Sequence, residues 1–216
     1  MASLTFYYGS GSPYAWRVWY ALEHKGIAYE MKTLSFDKDE TQQPAFLALN
    51  PRGKVPVIVD DGFALYESSA IVEYLEDKQP GEPRLLAAEP RRRALQRRLI
   101  READQYVAPA LTTLALLLRP GAAQAPADNI ATAAAALQSE LARWEATVGG
   151  DYLTGALSAA DFTLYPQVAL VQRLMTRAKN TTPTDLLGPK VTAWAQRMAA
   201  LPLTKKTWPP HWTASR

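Results

Sequence analysis

The 216-residue sequence predicts a small α/β domain followed by an all-helical domain. Three observations carry that reading. Strand-like and helix-like segments alternate over the first 80 residues. Pro80, Gly81, Pro83 and Pro90 then cluster as breakers. Beyond them come long Ala/Leu/Arg-rich stretches with almost no strand signal.

Each element follows from local chemistry. "LTFYY" reads as a strand, and "PYAWRVWYALEHKG" as a helix with Pro13 in its first turn and Gly26 at its stop. "AYEMKTL" is a short strand, and "TQQPAFLALNP" a brief helix ended by Asn-Pro. "VPVIV" and "FALY" flank an Asp-Asp-Gly turn, a hairpin signal, and "ESSAIVEYLEDKQPG" closes with a helix. The order is a βαβ crossover followed by a hairpin and a helix.

The expected organisation is therefore a first domain over 1–80, a linker over 81–90 and a helical domain over 91–216. Its helices are expected at about 89–118, 126–147, 158–178 and 188–200. The breaks between them are "RPGAAQAP", "GGDYLTGA" and "NTTPTD". In "ALSAADFTLYP", Ser158 is placed to cap a helix, with Asp161 reaching back to the cap amide. Leu157 and Phe162 stand at the positions of a hydrophobic staple.

Composition narrows the function classes. The chain is 48% apolar and 21% charged, as ordinary globular proteins are, and its net charge of +3 makes no case for nucleic acid. The basic stretch "EPRRRALQRRLIREADQYV" lacks interleaved aromatics, and Asp104 interrupts it, so it reads as a solvated or dimer-facing surface. There is no cysteine, which excludes disulfides, zinc-thiolate sites, CxxC redox chemistry and a cysteine nucleophile. No metal-ligand spacing is present, and His24 and His211 read as surface or packing residues. The N-terminal stretch lacks the pattern of a signal peptide and no segment is a membrane-span candidate, so the cytoplasm is the expected location.

Pro56 is the anomaly. Proline cannot donate to a β-ladder, yet it stands among the β-branched residues of "GKVPVIVDDG". It is either an edge-strand proline or a device that holds a backbone amide open for an extended ligand.

Four features in order, "SPYAWRVWYAL", "NPRGKVPVI", "ESSAIVEYL" and "YLTGALSAADF", together resemble the glutathione transferases. The resemblance implies a thioredoxin-like domain followed by an all-α domain, in a homodimer, with glutathione as co-substrate and no metal. It also implies a cis Val55–Pro56 bond, with the Val55 backbone meeting the cysteine of glutathione much as an added strand would. Glu67 and Ser68, at a helix start, suit the γ-glutamyl ammonium and carboxylate. Lys54 suits the glycine carboxylate, with Gln42 and Gln43 as further candidates. Asp104 is placed to approach the neighbouring subunit's glutathione.

A thiol with an ordinary pKa of about 8.5 is mostly protonated at neutral pH. Lowering that value by two takes about 2.7 kcal/mol. A hydrogen bond to a charged group contributes roughly 1.5–3 kcal/mol, and a helix N-terminus about 0.3–1 more. One hydroxyl at a helix start is therefore enough. Ser12, before Pro13, is the expected donor, and Ser10 is the runner-up. Of Tyr7 and Tyr8, one is expected in the core and the other against the pocket.

The expected electrophile is small and hydrophobic, in a pocket shaped by Tyr14, Trp16, Leu111, Leu114 and the tail aromatics. The tail "KKTWPPHWTASR" is not expected to be helical; it would fold over that pocket or against the domain interface. A glutathione-dependent lyase or dehalogenase, an isomerase, and a binding module without turnover remain alternatives. The related maleylacetoacetate isomerases carry a Ser-Ser-Cys-Ser run, of which only Ser12 is matched in Ser12-Pro13-Tyr14-Ala15.

Overall fold

The computed structural model describes residues 4–119, 125–177 and 186–213. Two compact units emerge, one of residues 1–88 with 201–216, the other of residues 89–200.

The first unit is built on a four-stranded sheet in the order β2-β1-β3-β4. β1 (Leu4–Gly9) runs parallel to β2 (Glu30–Leu34) and antiparallel to β3 (Val57–Asp60), which pairs antiparallel with β4 (Phe63–Tyr66). The βαβ-then-hairpin order read from the sequence is present, in the thioredoxin-like arrangement that the resemblance implied. The hairpin turn has Asp61 at φ 48° and Gly62 at φ 87°. Positive φ at both central residues is what an Asp-Gly pair supplies, and it matches the twist of the flanking strands. Between β1 and β2 lies α1 (Pro13–Lys25), which ends on Gly26 at φ 65°. The segment after β2 makes one 3₁₀ turn (Glu40–Gln42) and the short α2 (Pro44–Leu47). After β4 comes α3 (Ser68–Lys78).

Residues expected as linker are fastened to this unit. The buried Glu76 Oε2 accepts from Lys25 Nζ at 3.1 Å and from the Leu85 amide at 2.8 Å, while Lys25 Nζ also donates to the Gly81 carbonyl at 3.1 Å. Burying a charge without partners is expensive, so the ammonium and the carboxylate each recruit backbone groups of the passing chain.

The second unit holds α4 (Pro90–Glu102), a π-helical turn (Ala103–Val107), α5 (Ala108–Leu117), α6 (Ala127–Thr147), α7 (Ala159–Arg177) and α8 (Pro189–Ala200). The helix expected over 89–118 is thus one run with a widened turn in it. Pro109 follows that turn immediately, and its missing N–H removes the bond an ordinary α-turn would make there. The break expected at "NTTPTD" and most of that at "RPGAAQAP" lie outside the described residues.

The expectation that Asp161 reaches back to the Ser158 amide is met and extended, and the Ser158 hydroxyl donates to the same carboxylate. Asp161, fully buried, accepts from the Ser158 amide (3.1 Å), the Ser158 hydroxyl (3.0 Å), the Leu153 amide (2.9 Å) and Trp194 Nε1 (3.0 Å). One carboxylate therefore joins the preceding loop, the start of α7 and α8. A second carboxylate works alike: Glu145 on α6 accepts from the amides of Lys190 and Val191 at the start of α8.

The chain end departs from expectation. The last residues do not belong with the helical unit; α9 (Pro202–Lys206) and α10 (Pro210–Thr213) group with the first unit, and part of the tail is helical after all. Trp16 explains the docking. Its Nε1–H donates to Thr207 Oγ1 at 2.9 Å, and its ring meets those of Trp208 and Trp212 edge-on at 5.5 and 5.4 Å. Tyr20 adds a hydrogen bond to Thr204 Oγ1 at 2.7 Å.

Replacing Asp161 by Ala should lower stability by about 3–5 kcal/mol, because it removes a cap and strands buried donors. Urea unfolding of the two proteins measures it; a loss below about 1 kcal/mol would contradict this role.

Candidate functional site

The strand registers bring four segments to one end of the sheet. Gly9 is opposite Leu34, Tyr7 is opposite Val57, and Val57 is opposite Tyr66. The chain after β1, the chain after β2, the chain before β3 and the chain after β4 therefore meet there. They carry Ser10 and Ser12, Phe36, Lys54 to Pro56, and Glu67 to Ser68.

Ser12 is the N-cap of α1. Its extended backbone (φ −70°, ψ 118°) lets Oγ accept from the Ala15 amide at 3.3 Å. The Ser12 amide closes the turn by donating to the Gly9 carbonyl at 3.1 Å. A capping serine uses a lone pair, which leaves its hydroxyl proton to donate. A Cβ on Gly9 would stand 2.4 Å from Phe36 Cζ and 2.8 Å from Val55 Cγ2, so a side chain there would displace both. Phe36, 49% exposed, is a residue the sequence reading missed. Only an aromatic two residues after a strand marked it.

The Val55–Pro56 bond is cis. β3 begins at Val57, so Val55 stands beyond the β1–β3 ladder. The preceding turn is held by Asn50, also missed, which is buried and therefore obliged to satisfy its amide. Its Nδ2 donates to the Lys54 carbonyl at 2.7 Å and its Oδ1 accepts from the Arg52 amide at 3.0 Å. The Lys54 side chain is exposed.

Glu67 caps α3 with φ 69°, a left-handed value that strains a non-glycine residue by about 1–3 kcal/mol. Its carboxylate is exposed, 4.0 Å from Arg52. Ser68 is buried at the first position of the helix.

Other expected residues fall elsewhere. The Gln42 side chain donates to the Gly53 carbonyl at 3.3 Å and so braces that loop, and Gln43 is the exposed N-cap of α2. Trp16, Leu111 and Leu114 are 0–3% exposed; each is large, apolar and on the inward face of its helix. Tyr14 is 37% exposed, with the Arg17 guanidinium 5.2 Å from its ring centre. Asp104 lies half-buried in the π-helical turn of the second unit. Tyr8 is core, and burial pushes its phenol up, opposed by nearby Ser10 and the Gly11 backbone. Tyr7 packs on Phe46.

His24 is half-buried, and burial holds its imidazole below the ordinary range. Among the described residues there is no group of three or more side chains fit to hold a metal ion, and no helix is long and apolar enough to cross a membrane.

Comparison with known proteins agrees with this geometry. The family model "Glutathione S-transferase, N-terminal domain" matches residues 11–78. The maleylacetoacetate isomerase of Mus musculus is 36% identical over 164 residues, 74% of each chain. A glutathione S-transferase structure from the Antarctic clam Laternula elliptica is 30% identical and superposes with a TM-score of 0.83, covering 99% of this chain and 95% of that one. A Pseudomonas putida glutathione transferase with one glutathione disulfide bound per subunit shares the fold (TM-score 0.82, 22% identity, 95% and 90% covered). The chain belongs to the glutathione S-transferase family.

One charge in the last turn of α1 links pH to the docked tail. Burial alone would raise the Glu23 carboxyl, but Lys206 at 2.5 Å and the Tyr29 hydroxyl at 2.6 Å hold it below its usual 4.5. A depressed carboxyl stabilises above its unfolded value and loses that contribution as pH falls through the folded one. The tail should therefore loosen only below about pH 4.5, by at most about 1 kcal/mol because Lys206 is mostly exposed. Acid unfolding followed by tryptophan fluorescence tests this. Glu23→Gln should flatten the dependence, and an unchanged profile would refute the assignment.

Proposed function

We propose that this protein is a serine-type glutathione transferase, with Ser12 stabilising the glutathione thiolate for attack on a small hydrophobic electrophile. The observation that carries the reading is the Ser12 cap, whose oxygen is engaged with Ala15 while its proton stays available at the positive end of α1.

The tripeptide would lie extended along the Val55 main chain, with its γ-glutamyl end at Glu67, Ser68 and the start of α3. Lys54 would meet its glycine carboxylate. The glutathione disulfide bound to the Pseudomonas putida neighbour supports this ligand. Ser12 donates to the sulfur and takes no proton, since an alcohol is too weak a base. Sulfur then attacks carbon or displaces a leaving group. Tyr14 and Phe36, exposed near the turn and the Val55 edge, are the apolar surfaces offered to the electrophile. Asp104 is kept as a residue that would act across a homodimer, and the cytoplasm as the place of action.

A second reading has its own support. The mouse relative is a maleylacetoacetate isomerase. In that chemistry glutathione would add to an unsaturated diacid and leave again, so the tripeptide is regenerated. Ser12 would serve both reactions alike.

Ser12→Ala should lower kcat for conjugation about 10- to 100-fold and shift KM for glutathione less than about threefold. The thiolate ultraviolet band of the binary complex should weaken in parallel. Unchanged thiolate would remove Ser12 from the mechanism. Net consumption of glutathione separates the transferase from the isomerase, which consumes none.

A further inference from the structure

The turn between β1 and α1 has a neighbour that its position in the sequence does not announce. Ser10 Oγ and His211 Nδ1 are 2.5 Å apart, across 201 residues of chain. The histidine ring lies directly on the turn. A Cβ on Gly11, which has φ 83°, would be 2.7 Å from His211 Cε1 and 3.0 Å from Trp212 Nε1. Trp212 is 5% exposed and locked edge-on against Trp16 and Trp208, so the ring is delivered by a packed segment. The Tyr8 hydroxyl, in a residue 1% exposed, is close to Ser10 and the Gly11 backbone at the same turn. Serine, glycine and histidine thus form one polar cluster at the start of α1.

We propose that His211 takes up the proton of the bound thiol through Ser10. The inference rests on the reading of this turn as the thiol site. Ser12 can steady a thiolate but cannot remove the proton that makes it one. In the relay the S–H bond breaks and its electron pair stays on sulfur. That proton passes to Ser10 Oγ while the proton of Ser10 passes to His211 Nδ1. Ser10 ends unchanged, and neutral thiol plus neutral imidazole become thiolate plus imidazolium.

With ordinary values of about 8.5 and 6.5, this transfer is uphill by roughly a hundredfold. A hydroxyl donating to the thiolate offsets most of that factor, so the two serines have separate tasks. The exposed ring of His211 returns the proton to water. His211 is therefore a positioning and relay residue acting through Ser10, although by sequence it read as a surface or packing group.

The test uses the full chain with His211→Ala, His211→Gln, Ser10→Ala and the His211→Ala/Ser10→Ala double variant. Thiolate absorbance is followed in stopped flow on mixing with glutathione, alongside kcat and KM. His211→Ala should slow thiolate appearance and lower kcat about 10²-fold with KM within about twofold. Added imidazole should restore much of the rate in His211→Ala and none in wild type. His211→Ala should cause no further loss once Ser10 is Ala.

A wild-type rate in His211→Ala overturns the relay. So does a loss that imidazole leaves untouched and that adds to the Ser10 effect, which would make His211 a clasp for the tail. His211→Gln, which keeps a polar side chain of similar size, should match His211→Ala in rate while keeping wild-type tryptophan fluorescence. Calorimetric titration of wild type with glutathione separates the two levels: no binding sinks both readings, whereas binding with thiolate appearing at the wild-type rate in His211→Ala sinks this one alone.

Discussion

The burial of Trp16 is the constraint on which the candidate site depends. Its indole is 0% exposed, stacked on Tyr20 at 5.7 Å and enclosed by Trp208 and Trp212. Burying a side chain of that size removes about 150–250 Å² from water. At about 25 cal/mol per Å² this contributes up to roughly 4–6 kcal/mol. The Lys206–Glu23 pair, whose lysine is mostly solvent-facing, contributes at most about 1 kcal/mol. The aromatic cluster therefore decides where the tail lies, and the ion pair only trims it. Because the tail lies there, His211 and Trp212 reach the turn that carries Ser10 and Ser12.

That turn meets several demands with few residues. Ser12 caps α1 and, in the proposed reading, also donates toward the ligand; a hydroxyl can do both because its lone pairs and its proton are separate resources. Gly9 must let Phe36 and Val55 approach, and Gly11 must let the tail ring approach while holding a positive φ. On the opposite side of the same sheet end, Glu67 is kept at a left-handed φ that places Ser68 at the head of α3. The capping carboxylates Asp161 and Glu145 order the helical unit elsewhere.

Much of this was legible in one dimension. Pro13, Gly26 and Asp61-Gly62 mark a helix start, a helix stop and a hairpin because each fixes φ locally, and the structure has all three where expected. Ser158 and Asp161 are three residues apart, so their cap could be read as well. Trp16, Leu111 and Leu114 were expected to shape a pocket and are buried instead, because an apolar helix residue reads the same whether it faces a core or a ligand. Asn50 was overlooked because its partners depend on the loop folding over it. The tail was read as non-helical from Pro209 and Pro210, yet proline is at home in a first helical turn, where Pro202 and Pro210 sit.

The sequence by itself determined the order of elements, the α/β-then-helical class, the absence of any protein thiol, and the local caps that begin and end helices. These depend on neighbours within a few residues, where backbone preference and capping geometry suffice. Tertiary structure alone decided that the last helices join the first unit, that Phe36 stands against the Val55 edge, and that His211 meets Ser10. Those contacts join residues far apart in the chain, and their partners are selected by burial of aromatic surface, which no short stretch of sequence encodes.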